Sequence, residues 1–414
     1  MLRLVFFLVH RAPGLETRAL KLLMKAERYD TGGRAQRYLL KRRDRLPFVE
    51  SVHHPTEMAE NAVLTRSIVL KNPRLDGDRV ERGVLLIKFT ETFADAFIIM
   101  NCRELENYFH IVLEPSWSGY ALPEIHQWMA LDNPVIIQCS ETLDFQYIEA
   151  LRSNLYPVRF GSSDWVDDRV FHPLDVSIPK VYDSIFIANF HAMKRHHVYL
   201  KTISRLKDID YRSALVCGQW GNHRKDIESM VRYFDLNDVV DQFVQLSQES
   251  LNELLNQSRL NVLMSLKEGS NRTIFEGFFA NVPGLVLREN IGVNKDYINE
   301  STGYLISEDE LERTLRQDKE CREKPFEPRS WACSNIAAAR TTAKLEDVLA
   351  GIARDSGEPW TRGLVVKVNS PEATYYDQDN VTRLWSTREL LDAFGENATS
   401  AEKIDELFSR YQDL

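Results

Sequence analysis

Between residues 182 and 305 the chain alternates, in one constant order, between short apolar runs and stretches with helical spacing. Ser184 to Ala188, Ser213 to Gly218 and Leu260 to Leu266 read as buried strands. Between and after them come helices carrying Leu200, Ile203 and Leu206, then Ile227, Met230, Val231 and Phe234, and then Thr273 to Ala280. Strand and helix in strict alternation leave few folds open. The expected one is a doubly wound parallel sheet with helices on both faces, whose ligands sit at the carboxyl ends of the strands.

One strand end carries more chemistry than the others. The run to Leu266 stops at Glu268-Gly269, a polar loop Ser270-Asn271-Arg272 follows, and the next helix opens at Thr273. The first N–H groups of a helix have no partners within it and carry a partial positive charge, which suits a phosphate. Glu268 and Glu276 bracket that helix start. Carboxylates beside a phosphate are costly unless they contact something else, and sugar or ribose hydroxyls need such acceptors. Lys194 lies just past the strand 184–188, where it would grip the same diphosphate from the other side. An ordinary strand–loop–helix with solvated glutamates fits this segment equally well.

The block from about Tyr182 to Leu305 resembles the family-4-type retaining glycosyltransferases of the GT-B fold, the group 1 glycosyl transferases. Glu268-x7-Glu276 matches the paired-glutamate signature, with Ser265 before it and Ala280-x-x-Pro283 after it. Lys194 falls at the phosphate lysine, Ser247-x-Glu249-x-Leu251 at a helix start after the base loop, and Ser301-Thr-Gly303-Tyr-Leu305 at a later turn. Val166-Asp167-x3-Phe171-x-Pro173 matches the domain-junction segment. The chain departs from the pattern at Asn189 (usually arginine), Arg195 (usually glycine), Ser270-Asn271 (usually a bulky residue and glycine) and Asn281 (usually glycine). Arg272 is the substitute cation for the missing arginine. Asparagine tolerates the left-handed backbone better than other residues with side chains, so Asn281 is a mild change.

The resemblance implies an α/β chain of two Rossmann-like, doubly wound domains facing a cleft, with a C-terminal extension. The expected division is an acceptor-binding domain at 1–175, a nucleotide-sugar domain at 176–334, and helices crossing back plus a tail at 335–414. The implied activity is retaining transfer of a sugar from a nucleotide diphosphate to an acceptor hydroxyl, in polysaccharide, glycolipid or glycoconjugate assembly. Lys194, Glu268, Arg272 and Glu114 are the expected catalytic residues. Asn189, Arg195, Gly269, Ser270, Asn271, Thr273 and Glu276 are expected to hold the donor. No cofactor and no metal are expected. A nucleotide-sugar 2-epimerase of the same fold and a catalytically silent sugar-nucleotide binder are the alternatives, with a dehydrogenase behind them.

The remaining sequence bounds the setting. Five scattered cysteines without a C-x-x-C, and an opening apolar run of only six residues (Leu4 to Val9), suit a reduced cytoplasmic protein whose first strand is that run. A net charge of −9 argues against nucleic acid. Arg18 to Arg45 is locally basic, with Leu20, Leu22, Leu23, Leu39 and Leu40 interspersed, and reads either as a solvated helix face or as a surface for a polyanionic acceptor or for anionic lipid at the inner membrane face. In the first half, Gly83 to Phe89, Phe109 to Leu113 and Val135 to Gln138 read as strands. Glu114, with Trp117 and Tyr120 behind it, is either an acceptor-orienting carboxylate beside sugar-binding rings or a capping acid beside packing rings. Thr90-Glu91-Thr92 is a weaker candidate, and Ser140-Glu141 after the third strand reads equally well as another or as a capping pair. Asp76-Gly-Asp78, Asp208-Ile-Asp210 and Asp377-Gln-Asp379 close no apolar strand, and His191, His196 and His197 lack zinc-ligand spacing.

Overall fold

The computed structural model describes residues 15–27, 30, 32–46, 56–77, 79–175, 178–218, 221–321, 325–369, 372–395 and 400–411. The opening run Leu4 to Val9, Arg28 and Asp78 lie outside them. The chain divides into two units, Met1–Trp165 with Ala338–Leu414, and Val166–Ala337. The first break therefore falls ten residues ahead of the expected one. The segment after 337 joins the first unit.

In the first unit, β1 (Ser67–Lys71), β2 (Gly83–Lys88), β3 (Phe109–Glu114), β4 (Val135–Gln138) and β5 (Leu155–Val158) lie side by side in that order. β1 runs antiparallel to β2, and the other neighbours are parallel. β2, β3 and β4 are buried at every position, as strands covered on both faces are. The helix Ala338–Asp355 adds Leu345 and Leu349 to this core. The tail beyond it adds Leu384, Trp385, Leu390, Phe394, Leu407 and Phe408. The residues after 337 are thus structural members of the unit whose strands lie between 67 and 158.

Three buried polar groups tie that tail to the sheet. Glu358 accepts from the Arg82 guanidinium at 2.7 and 2.8 Å and meets His110 Nε2 at 3.1 Å. Glu81 pairs with Lys71 at 2.6 Å and accepts from the Thr361 N–H at 2.7 Å. Lys367 and Asn369, from a ribbon strand Lys367–Asn369, reach Glu114 at 2.8 and 3.2 Å. Arg82 and His110 beside Glu358 hold its carboxyl down at about 2 despite burial.

The second unit has six strands, all parallel: β6 (Ser184–Asn189), β7 (Ser213–Gly218), β8 (Val240–Val244), β9 (Asn261–Leu263), β10 (Gly284–Leu287) and β11 (Gly303–Ile306). Their spatial order is β8-β7-β6-β9-β10-β11. Alternation along each strand builds two cores. Phe186, Leu215, Val262 and Leu285 point to one face and Ile185, Ala214, Leu263 and Val286 to the other. The helix Arg272–Phe279 covers the second face with Ile274, Phe275, Phe278 and Phe279, all fully buried. Each such phenylalanine contributes about 2 to 3 kcal/mol of transfer free energy. The strand order reverses between β6 and β9, and the crevice outside their carboxyl ends is where sheets of this kind take ligands.

Candidate active site at the carboxyl ends of β6 and β9

Asn189 ends β6, and Lys194 follows in the turn Ala192–Lys194. Residues 264–271 leave β9 on the neighbouring side. The two loops meet directly, because Lys194 Nζ sits 2.5 and 2.7 Å from the two oxygens of Glu268. The side chains are 17% and 6% exposed, so this is a largely desolvated pair with an opening on the lysine side. The phosphate cation and the sugar-binding acid expected from sequence are thus brought together as one ion pair.

Arg195, where the resembled family has glycine, adopts φ +60°. A left-handed backbone at a residue with a side chain costs about 1 to 2 kcal/mol. The Arg195 guanidinium donates to the Met264 carbonyl at 3.3 Å and pairs with Glu308 at 2.7 Å, fastening the two loops a second time. Asn281 likewise sits at φ +59°, as its composition implied. Asn189 Oδ1 is buried and accepts no hydrogen bond from the described residues.

The helix after the β9 loop begins at Arg272, one residue ahead of the sequence expectation. Asn271 is its cap, accepting from the Ile274 N–H at 3.2 Å and the Thr273 hydroxyl at 3.0 Å. Gly269 and Ser270 form the loop immediately before it. Glu276 is buried one turn in, and burial raises its carboxyl above the ordinary range against the pull of Arg272. Arg272 Nε lies 3.7 Å from Glu276 Oε1, so the substitute cation is recorded against the second glutamate.

Sequence reasoning missed what holds the loop. Glu268 N–H donates to the Ile291 carbonyl and Ile291 N–H to the Leu266 carbonyl, at 2.8 and 2.9 Å. Asn290 Nδ2 donates to the Ser265 carbonyl at 2.8 Å. Gly292 has φ +121°, and a Cβ there would lie 2.3 Å from the Glu268 carbonyl oxygen. Only glycine fits, which is a signal that a single sequence displays but does not interpret. His196, counted with two neighbours as a zinc alternative, is buried beside Phe186, and burial with the Lys194 charge lowers its pKa to about 4. Among the described residues no group of His, Cys, Asp and Glu has the geometry to hold a metal ion.

In the first unit Glu114 closes β3 but is 1% exposed. Lys367, Asn369 and, at 3.9 Å, Lys88 surround it, and the two lysines hold its carboxyl below the usual range in spite of burial. Glu114, expected as either an acceptor-facing carboxylate or a capping acid, is placed as a buried ionic tie to Lys367 and Asn369, partners that no sequence pattern linked to it. Tyr120 is a packing residue whose hydroxyl donates to the Gln138 carbonyl at 2.7 Å. Thr90 begins the helix Thr90–Ile99, and Glu141 caps the helix Thr142–Leu151. Asp208 is paired with Arg316, and Asp377 caps a short turn. In the basic stretch, Leu20, Leu23 and Leu39 turn into the core while Arg18, Lys25, Arg34, Lys41 and Arg43 are exposed.

Residues 176–325 match the family described as Glycosyl transferases group 1. Sucrose-phosphate synthase from Thermosynechococcus elongatus is similar over 66% of this chain and 74% of its own, at 12% identity and a TM-score of 0.52. HepE from Anabaena, solved with UDP-glucose, is similar over 80% of this chain and 95% of its own, also at 12% identity and 0.52. No curated protein sequence matches the chain. The architecture is the expected GT-B one, with two Rossmann-like units.

Proposed function

We propose, on the premise of the group 1 glycosyl transferase match of residues 176–325, that this chain is a retaining, metal-independent hexosyltransferase using a nucleotide-diphosphate sugar. The observation that carries the reading is the Lys194–Glu268 pair at the switch point of the sheet, next to a capped helix start. When a donor enters, Lys194 exchanges Glu268 for the diphosphate, and Glu268 turns to the sugar hydroxyls it is equipped to accept from. Neither ion is left bare in the empty site, and neither in the filled one. Arg272 and the N–H groups of the loop from Ser270 to Thr273 add to the charge facing the diphosphate. Glu276 accepts from the ribose.

The bond from the anomeric carbon to the diphosphate oxygen breaks, and the nucleoside diphosphate leaves with the electron pair. The acceptor oxygen attacks from that same face, and its proton passes to the departing phosphate. Lys194 and the helix start meet the charge that grows on the leaving group, the largest single catalytic contribution open to such a site. Assembly of a surface polysaccharide, glycolipid or glycoconjugate in the cytoplasm is the setting that suits this chemistry. Among the described residues no helix is long and apolar enough to cross a membrane. Contact with anionic lipid would run through the exposed cations between Arg18 and Arg45, by charge alone.

The test is incubation with a panel of nucleotide sugars, with and without glycan acceptors, reading free nucleotide, the anomeric configuration of the product and the effect of EDTA. Acceptor-dependent release with retention, undiminished by chelation, is expected. Isomerised donor without any acceptor would replace this reading with an epimerase.

A further inference from the structure

The first unit holds a second pocket, at the opposite end of its sheet from the strand ends discussed above. It opens where β1 ends, beside Lys71, which lies across from Val84 at the start of β2. Its volume is about 240 Å³. Leu70, Leu384 and Phe408 give it an apolar wall, and all three are buried. Arg74, Arg362 and Arg383 stand around it with exposed side chains. None of these three guanidinium groups is hydrogen-bonded or ion-paired to a described residue. The acid in the lining is Glu81, and it is already occupied by Lys71 and Thr361.

That charge pattern is out of keeping with the molecule. A chain of net charge −9 gathers four basic side chains and one neutralised acid about a single concavity. Unpaired guanidinium groups offer forked donors that match phosphate and carboxylate oxygens. The apolar wall between them offers burial to whatever carries the anion. The volume is below that of a drug-sized site and many times that of a water molecule, which limits the apolar part to a ring or a short chain.

We propose that this pocket binds a small organic anion, a phosphate or carboxylate on a ring-sized apolar body, as a site separate from the donor site. The tail after residue 355 supplies Arg362, Arg383, Leu384 and Phe408, so the extension that the catalytic reading leaves without a role builds most of the pocket. The proposal rests on the first unit alone and stands whether or not the second unit transfers sugar.

The experiment is isothermal titration calorimetry of the full chain with phenyl phosphate, with inorganic phosphate and with benzyl alcohol, repeated on an R362A/R383A variant. Both arginines are exposed and their guanidinium groups have no partner among the described residues, so the variant is expected to keep its fold, which circular dichroism checks. Phenyl phosphate should bind the parent at least tenfold more tightly than either of the other two probes, because they supply one half of the recognition each. The variant should lose at least tenfold in phenyl phosphate affinity while binding UDP as the parent does. Equal affinity for phenyl phosphate in parent and variant would overturn the assignment. Sedimentation with phosphatidylglycerol vesicles that is lost in the variant, without phenyl phosphate binding, would overturn it too and place a membrane headgroup there instead.

Discussion

Lys194 and Glu268 are largely shielded from water and face each other at 2.5 and 2.7 Å, so removing one side chain strands the other. Lys194→Met should therefore lower stability by about 3 kcal/mol, the scale for stranding one partner of a buried pair, as well as abolish transfer. Lys194→Met combined with Glu268→Gln removes both charges, and urea unfolding should show most of that stability restored while nucleotide release stays at background. A double variant that regained turnover would remove Lys194 from the chemistry. Arg272→Lys keeps a charge and loses the fork, so it should be clearly impaired, and Arg272→Ala more so. Asn189→Arg placed in Arg272→Ala should recover part of the activity if both positions face one diphosphate. His196 makes a second, pH-dependent statement. Its folded pKa of about 4 lies below the ordinary 6.5, so between those values the unfolded chain binds more protons than the folded one. The stability it preserves is complete above pH 6.5 and is lost as the pH falls toward 4, at most about 3 kcal/mol. Urea midpoints from pH 7 to pH 4 should fall less steeply in His196→Asn than in the parent.

At the scale of elements, the loop that carries Glu268 is held from behind by residues 290–292. Gly292→Ala would press a methyl group into the Glu268 carbonyl and strain a left-handed backbone at once. It should cost several kcal/mol, about 2 to 4, and weaken UDP binding without touching a ligand group. The strands β2, β3, β4, β6, β7 and β9 were readable because burial writes itself into apolar runs, whereas β1, β5, β8, β10 and β11 were not read as strands, β8 and β11 being only partly buried. Ser213–Gly218 and Val135–Gln138 match their sequence bounds, while β9 is three residues where Leu260 to Leu266 was expected, since Met264 onward already belongs to the loop that carries Glu268. The Lys194–Glu268 meeting was legible because both lie at strand ends and strand order is constrained. Glu114 was not, because its partners Lys367 and Asn369 lie more than 250 residues away and nothing local encodes such a pairing. The same holds for Gly292, whose requirement comes from a neighbour in space.

At the scale of the whole molecule, the tail is bound into the first unit by its apolar side chains and by Glu358. The folded pKa of Glu358, about 2, lies below its ordinary 4.5, so its contribution is present above pH 4.5 and is lost as the pH falls through 2. Acid should release the tail early, and Glu358→Gln should flatten that part of the pH profile in thermal melts of the full chain. A chain ending at residue 356 leaves the places of Trp385, Phe394 and Phe408 empty and should be insoluble or molten, seen as lost near-ultraviolet dichroism. The same connectivity sets an order of events during synthesis. Residues 166–337 form one uninterrupted unit, but the unit around them begins before and finishes after it. The uninterrupted unit can reach its native state as soon as it leaves the ribosome, whereas the interrupted one stays unfinished, its sheet half covered, until the helix Ser400–Tyr411 has been translated. A chaperone that shields nascent chains should therefore hold the segment up to residue 165 and release it only once residues 400–411 have emerged.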